Sequence, residues 1–264
     1  MKKRWIILLS SVLLGAVLIA GCGGDSSKKE DTQGKKKIVV GLDDQFPPMG
    51  FRNEKNEIVG FDIDMAKEAA KRMDMEFEFK AIDWGSKEAE LKSGRIDMIW
   101  NGLTMLEERK KNILFSKPYM ANKQVIIVKK GSPIKSKADM AGKLVGVQDD
   151  SSAVTALGKE QAVADTFRDL KKYPDLISAF LDLESGRNDV IIADQVLGRY
   201  YMAKNPDKFE VLEGTDFGTE TFGVGMRLED TELQTKLDKI LDEMKADGTA
   251  AKISTQWFDA NLVE

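Results

Sequence analysis

Leu91-Lys92-Ser93-Gly94-Arg95-Ile96-Asp97-Met98-Ile99 returns later in the chain as Leu183-Glu184-Ser185-Gly186-Arg187-Asn188-Asp189-Val190-Ile191, with six of nine positions identical. In each copy a polar, helix-forming stretch meets Gly and then an apolar run. Glycine enters the left-handed backbone region at little cost, so each copy reads as helix end, turn and buried strand. One copy stands in each half of the chain, which predicts two similar α/β lobes. Working outward, short apolar runs alternate with helix-length amphipathic segments, the pattern of largely parallel sheets flanked by helices. Strands are expected at 38–42, 76–80, 96–100, 124–128, 144–147, 190–193 and 222–226. The stripe Met65, Ala66, Ala69, Ala70, Met73 predicts a helix over 64–73. The stripe Leu233, Leu237, Ile240, Leu241, Met244 predicts another over 231–247, stopped by Gly248.

Ligands of open α/β sheets collect at the carboxyl ends of strands. Here those ends are Asn101-Gly102-Leu103-Thr104 and Asp194, and lobes that face each other bring them into one cleft. Thr104 to Glu107 has the spacing of a capping box, with Arg109 expected on the same short helix. Free amides, a hydroxyl and a guanidinium together suit a carboxylate; the same residues also read as a capped helix with a surface Arg. Asp194 ends an apolar strand, where it can receive an ammonium group or cap the next helix. Ser151-Ser152-Ala153 predicts a second helix start, stopped at Gly158, whose amides either meet the same anion or serve capping alone. Phe46, Phe51 and Trp84 stand in loop-like stretches. Each suits packing on a ligand's aliphatic stem, or a small satellite core.

At the N-terminus, Lys2, Lys3 and Arg4 precede an apolar run from Trp5 to Ala20, a basic flank and short apolar stretch that predict a signal peptide over 1–21. Leu18-Ile19-Ala20-Gly21-Cys22 has the small residues that precede a lipid-modified cysteine, and Cys22 is the chain's one cysteine. Residues 22–37 then read as a lipidated Cys and solvated tether that holds the protein to the membrane on its extracytoplasmic side. Of the 40 basic residues, 37 remain beyond residue 21, against 44 acidic ones, so the mature chain is acidic and a nucleic-acid partner is not expected. With no His and one Cys, His-based triads, His metal ligands and internal disulfides are excluded. No cofactor, metal or catalytic residue is expected.

Several motifs in order give a specific resemblance. They are Gly41-Leu42-Asp43 followed by Phe46-Pro47-Pro48, Gly60-Phe61-Asp62-Ile63-Asp64-Met65-Ala66, Ser93-Gly94-Arg95-Ile96-Asp97, Glu108-Arg109, Phe115-Ser116-Lys117-Pro118-Tyr119, Gly142 to Val147, and Phe222-Gly223-Val224-Gly225-Met226. Over 38–262 the chain resembles the family 3 extracellular solute-binding proteins, the amino-acid receptors of bacterial ABC importers. The resemblance implies a two-lobed, type II periplasmic-binding-protein-like fold, with lobe 1 at 38–120 plus 221–264, lobe 2 at 121–220, and a two-strand hinge. It implies that Arg109, with Thr104 and Ser152, grips a ligand α-carboxylate. Asp194 and main-chain groups of Asn101 and Gly102 would hold the α-ammonium, while Phe46 and Trp84 flank the side chain, with Phe51 a further candidate and Asp43 near the tip. Two positions depart from the family pattern: Asn101-Gly102, where small hydroxyl residues are frequent, and Asp150, where glycine is. The implied partners are a polar amino acid, with arginine, lysine or glutamine favoured and cystine admitted, and an ABC permease served by a monomer. A dehydratase-like enzyme using a cleft carboxylate, and a ligand-sensing lipoprotein, are the competing readings.

Overall fold

The computed structural model describes residues 36–264; the expected signal peptide, Cys22 and nearly all of the expected tether lie outside the described residues. Lys37, expected as the last residue before the fold, already pairs with Glu76 in a strand. Two five-stranded sheets carry the fold. The first has the order Glu76–Ala81, Lys37–Leu42, Met98–Ile99, Gly225–Met226, Leu114–Phe115. The second has the order Asp169–Tyr173, Leu144–Gln148, Val190–Asp194, Met120–Lys129, Phe209–Phe222. The parallel pairing read from the sequence holds for three neighbouring strands in each sheet. The other two pairings in each sheet are antiparallel, so both sheets are mixed.

The repeated motif is repeated in its bonds. Gly94 and Gly186 both take positive φ, 73° and 78°, at the end of a helix. Arg95 Nε donates to Glu90 at 2.8 Å and Arg187 Nε to Asp182 at 2.6 Å, each acid five residues back. Asp97 accepts the Val39 amide at 2.9 Å and Asp189 accepts the Leu144 amide at 2.8 Å. Each aspartate therefore pins the strand beside it, setting register where the apolar pattern alone would allow a slip.

Helix Phe61–Met73 starts three residues earlier than its stripe predicts and buries Phe61, Met65, Ala66 and Ala69, one face at helical spacing. Gly60 before it has φ 145°, and a Cβ there would lie 2.2 Å from the Met49 carbonyl oxygen, so only glycine fits. Helix Thr231–Ala246 buries Leu237, Ile240, Leu241 and Met244 as its stripe requires. Helix Ser152–Lys159 runs one residue past the expected stop at Gly158. The apolar run 222–226 is not one strand: Phe222 closes a strand of the second sheet, whereas Gly225–Met226 belongs to the first. Strand Asp169–Tyr173 escaped the sequence reading because DLKKY, at a sheet edge, lacks an apolar face.

Candidate functional site

The strand ends of both sheets meet around one small cavity. It is lined by Asp43, Phe46, Trp84, Asn101, Gly102, Thr104, Arg109, Gln148, Ser151, Ser152 and Asp194. Its free space is about 10 Å³, the room of about one water molecule. Nine of the ten ligand-contact candidates lie here. Phe51 does not: its ring packs at 5.8 Å on Tyr200 and at 6.0 Å on Trp257, a satellite aromatic cluster away from the cavity.

Arg109 is 5% exposed and donates to two main-chain carbonyls, Thr104 at 3.2 Å and Asp150 at 2.8 Å. Neither acceptor carries a full charge, so a buried guanidinium stands at this wall with no carboxylate among the described residues bonded to it. Burial lowers its pKa. The expected capping box does not form. Thr104 instead bridges to Phe222, Met105 donates to the Thr221 carbonyl, and the helical element that follows is a short 3-10 turn over Arg109–Lys111. Pairing with the passing strand satisfies the backbone that a helix would have used. Glu107 is left to pair with Lys110 on the surface.

At the opposite wall Asp194 precedes helix Gln195–Lys204, yet its side chain does not cap it. Its carboxylate accepts from Asn122 Nδ2 at 2.6 Å and Gln124 Nε2 at 3.0 Å. The same nitrogens donate to Glu220, whose Oε1 also lies 2.9 Å from the Thr104 hydroxyl and 3.2 Å from that of Ser152. Burial first, and then the Glu220 charge, push the Asp194 pKa well above the usual carboxyl range.

At the third wall Asp43 accepts from Gln148 Nε2 at 2.7 Å and from the Gln45 amide at 2.9 Å. Burial pushes its pKa up to about 6. Asn101 accepts the Asp43 amide at 3.1 Å, and Gly102, at φ 56°, donates its own amide to Asp62 at 2.6 Å. The Gly102 amide is thus committed to Asp62. Trp84 is buried beside Lys87, whose Nζ sits 4.9 Å from its ring centre and donates to the Trp84 and Asp150 carbonyls while pairing with the Asp150 carboxylate. Burial, followed by the charge of Arg109, lowers the Lys87 pKa to about 8. Asp150 has φ 52°, a left-handed conformation, which accounts for glycine being frequent at this position in the pattern that the sequence resembles.

Sequence reasoning did not single out Gln148, Glu220, Asn122, Gln124, Lys87 or Asp62. Two signals were available. Asn122 and Gln124 are polar at period two within the Met120–Lys129 strand and so share a face, and Gln148 closes an apolar strand at its carboxyl end. Lys87 and Glu220 carry no such signal, since each reaches the site through partners distant in sequence, Asp150 for Lys87 and Thr104, Asn122, Gln124 and Ser152 for Glu220.

The model of the bacterial extracellular solute-binding proteins, family 3, matches residues 38–260. The arginine-binding extracellular protein ArtP of Bacillus subtilis is 34% identical over 262 residues, covering 97% of this chain and 98% of its own. Among solved structures, an ABC uptake transporter substrate-binding protein from Streptococcus pneumoniae with bound histidine superposes with a TM-score of 0.82 at 33% identity, over 86% of this chain and 94% of that one. An ancestral arginine-binding protein bound to arginine gives 0.79 at 40% identity, over 85% and 99%.

Proposed function

We propose, from the premise that this chain belongs to the family 3 bacterial extracellular solute-binding proteins and has their two-lobed type II fold, that it captures a polar L-amino acid outside the cytoplasm and delivers it to an ABC permease. One observation carries the reading. Among the described residues, a buried guanidinium bonded only to carbonyls shares a single cavity with two buried carboxylates, Asp194 and Asp43, that accept only from amide nitrogens. That arrangement complements a zwitterion: Arg109 takes the carboxylate in bidentate fashion, with Thr104 and Ser152 beside it, and Asp194 takes the ammonium. Phe46 and Trp84 flank the side chain, and Asp43 at the far wall favours a cationic tip such as that of arginine or lysine. Glutamine and cystine satisfy the same main-chain grip.

In this reading 38–120 with 221–264 forms one lobe and 121–220 the other. The Asp43 to Gln148 bond and the Arg109 and Lys87 bonds to Asp150 then tie the two lobes together in the closed form. Ligand shifts the opening equilibrium only by its difference in affinity for the two forms. Cys22, lipidated, would tether the receptor at the membrane surface.

The test is a thermal-shift screen of L-amino acids against protein beginning at Gly23, unfolded and refolded to strip carried-over ligand. A cognate ligand at about 100 times its Kd adds about 2.7 kcal/mol of stability. A shift from one or a few polar amino acids supports the reading, and no shift from any of them overturns it.

A further inference from the structure

Asp194 and Glu220 draw on the same donors. Asn122 Nδ2 lies 2.6 Å from Asp194 Oδ1 and 2.7 Å from Glu220 Oε1, and Gln124 Nε2 lies 3.0 and 2.8 Å from the same two oxygens. Two carboxylate oxygens held on two shared nitrogens are close neighbours. Asp194 is buried and Glu220 half-buried. Among the described residues neither forms an ion pair. The nearest guanidinium, Arg109, donates to the Thr104 and Asp150 carbonyls, and Lys123, whose strand neighbours Asn122 and Gln124 turn to the opposite face, pairs with Asp216. Ser152 and Thr104 contribute hydroxyls only. Arg109 acts on both carboxylates through its charge but bonds to neither. Like charges this close, one buried and one half-buried, do not both ionise readily, so a pair of this kind retains one proton.

We propose that Glu220 and Asp194 together form the ammonium subsite, sharing one proton that the arriving ammonium displaces, so that ligand capture expels a proton to solvent. The inference rests on the amino-acid-binding reading. One carboxyl O–H breaks, its proton passes to water or buffer, and the ligand ammonium keeps all three of its own. A ligand that releases a proton on binding binds more tightly as pH rises, by up to tenfold per pH unit for one proton. Other titrating groups border the cavity from other walls: Asp43, raised to about 6, and Lys87, lowered to about 8 and paired with Asp150. The decisive quantity is therefore the difference between the wild type and Glu220→Gln.

The experiment is calorimetric titration of the mature protein with L-arginine, L-lysine, L-glutamine and L-cystine in turn. It is run at about pH 5.5 in acetate and in MES, and at about pH 7 in phosphate and in HEPES, each pair buffering at its pH and differing in ionisation heat. The wild type is expected to release up to one proton per ligand more than Glu220→Gln, whose affinity should vary less with pH. Equal release in the two proteins overturns the inference while leaving the amino-acid reading intact. Binding of none of the four, together with no shift from any L-amino acid in the thermal screen, overturns both. Carbon-13 NMR of the wild-type carboxyls needs no variant: one of the pair should titrate above the ordinary carboxyl range and fall back into it on adding ligand. Two ordinary titrations overturn the inference.

Discussion

Asp97 and Asp189 hold the same place in the two repeats, each accepting the amide of the neighbouring parallel strand, but five residues further on the copies diverge, with Gly102 in the first where the second has Asp194. Both places have a buried carboxylate. Asp194 supplies its own, whereas Gly102 binds that of Asp62, which comes from helix Phe61–Met73. The base of each repeat builds a strand, and strand-building admits few solutions. The top faces the cavity, where the two walls meet different parts of a ligand and need different groups.

The largest expected effect concerns the two buried acids. Burial raises Asp62 to about 7, whereas an unfolded aspartate titrates near about 3.9. The folded form thus takes up the proton, and the stability this contributes is full below about pH 4 and lost as pH rises through about 7, roughly 4 kcal/mol across the window. Denaturant unfolding of wild type and Asp62→Asn from pH 5 to 8 should give profiles that diverge by an effect of this order. Parallel profiles would mean that the Gly102 side lacks the counterpart to Asp194.

Next comes Arg109→Ala, expected to weaken amino-acid binding by about 3 kcal/mol, roughly a hundredfold, while unfolding stays cooperative. Near-normal affinity would remove Arg109 from the site. At the bases, Asp97→Ala should cost about 2 kcal/mol and Asp189→Ala about 1 kcal/mol, because Asp97 also pairs with Arg227 at 2.9 Å. Melting temperatures that fall equally would deny that difference. Smallest is the glycine pair. Gly94→Ala and Gly186→Ala both force a side chain into the left-handed region, with open space around the Cβ at Gly94 and only an ordinary 3.6 Å contact to Lys129 Nζ at Gly186, so each should cost about 1 kcal/mol. A large inequality between them would break the likeness of the two junctions.

The same division governs what the sequence revealed. Junctions, strand cores and helix stripes are local in cause, so their pattern was legible, as was the rule that places Asn101, Gly102, Thr104 and Asp194 at strand ends. The capping box at Thr104 failed because a strand distant in sequence, at Phe222, took the backbone that the local pattern had assigned to a helix. Phe51 failed for a related reason, since Tyr200 and Trp257 reach it only in the folded chain. Glu220 owes its placement to such distant partners, and Lys87 to distant Asp150 together with neighbouring Trp84.

Trp84 gives the cavity an optical probe of its own. Of the described tryptophans, Trp100 is fully buried and Trp257 donates its indole N–H to Asp64 outside the cavity, whereas Trp84 lines it with the Lys87 cation over its ring. Indole emission depends on nearby charge and on access of water, so occupancy of this wall registers in intrinsic fluorescence without any label. Trp84→Phe would silence that signal while leaving the other two indoles as an internal reference.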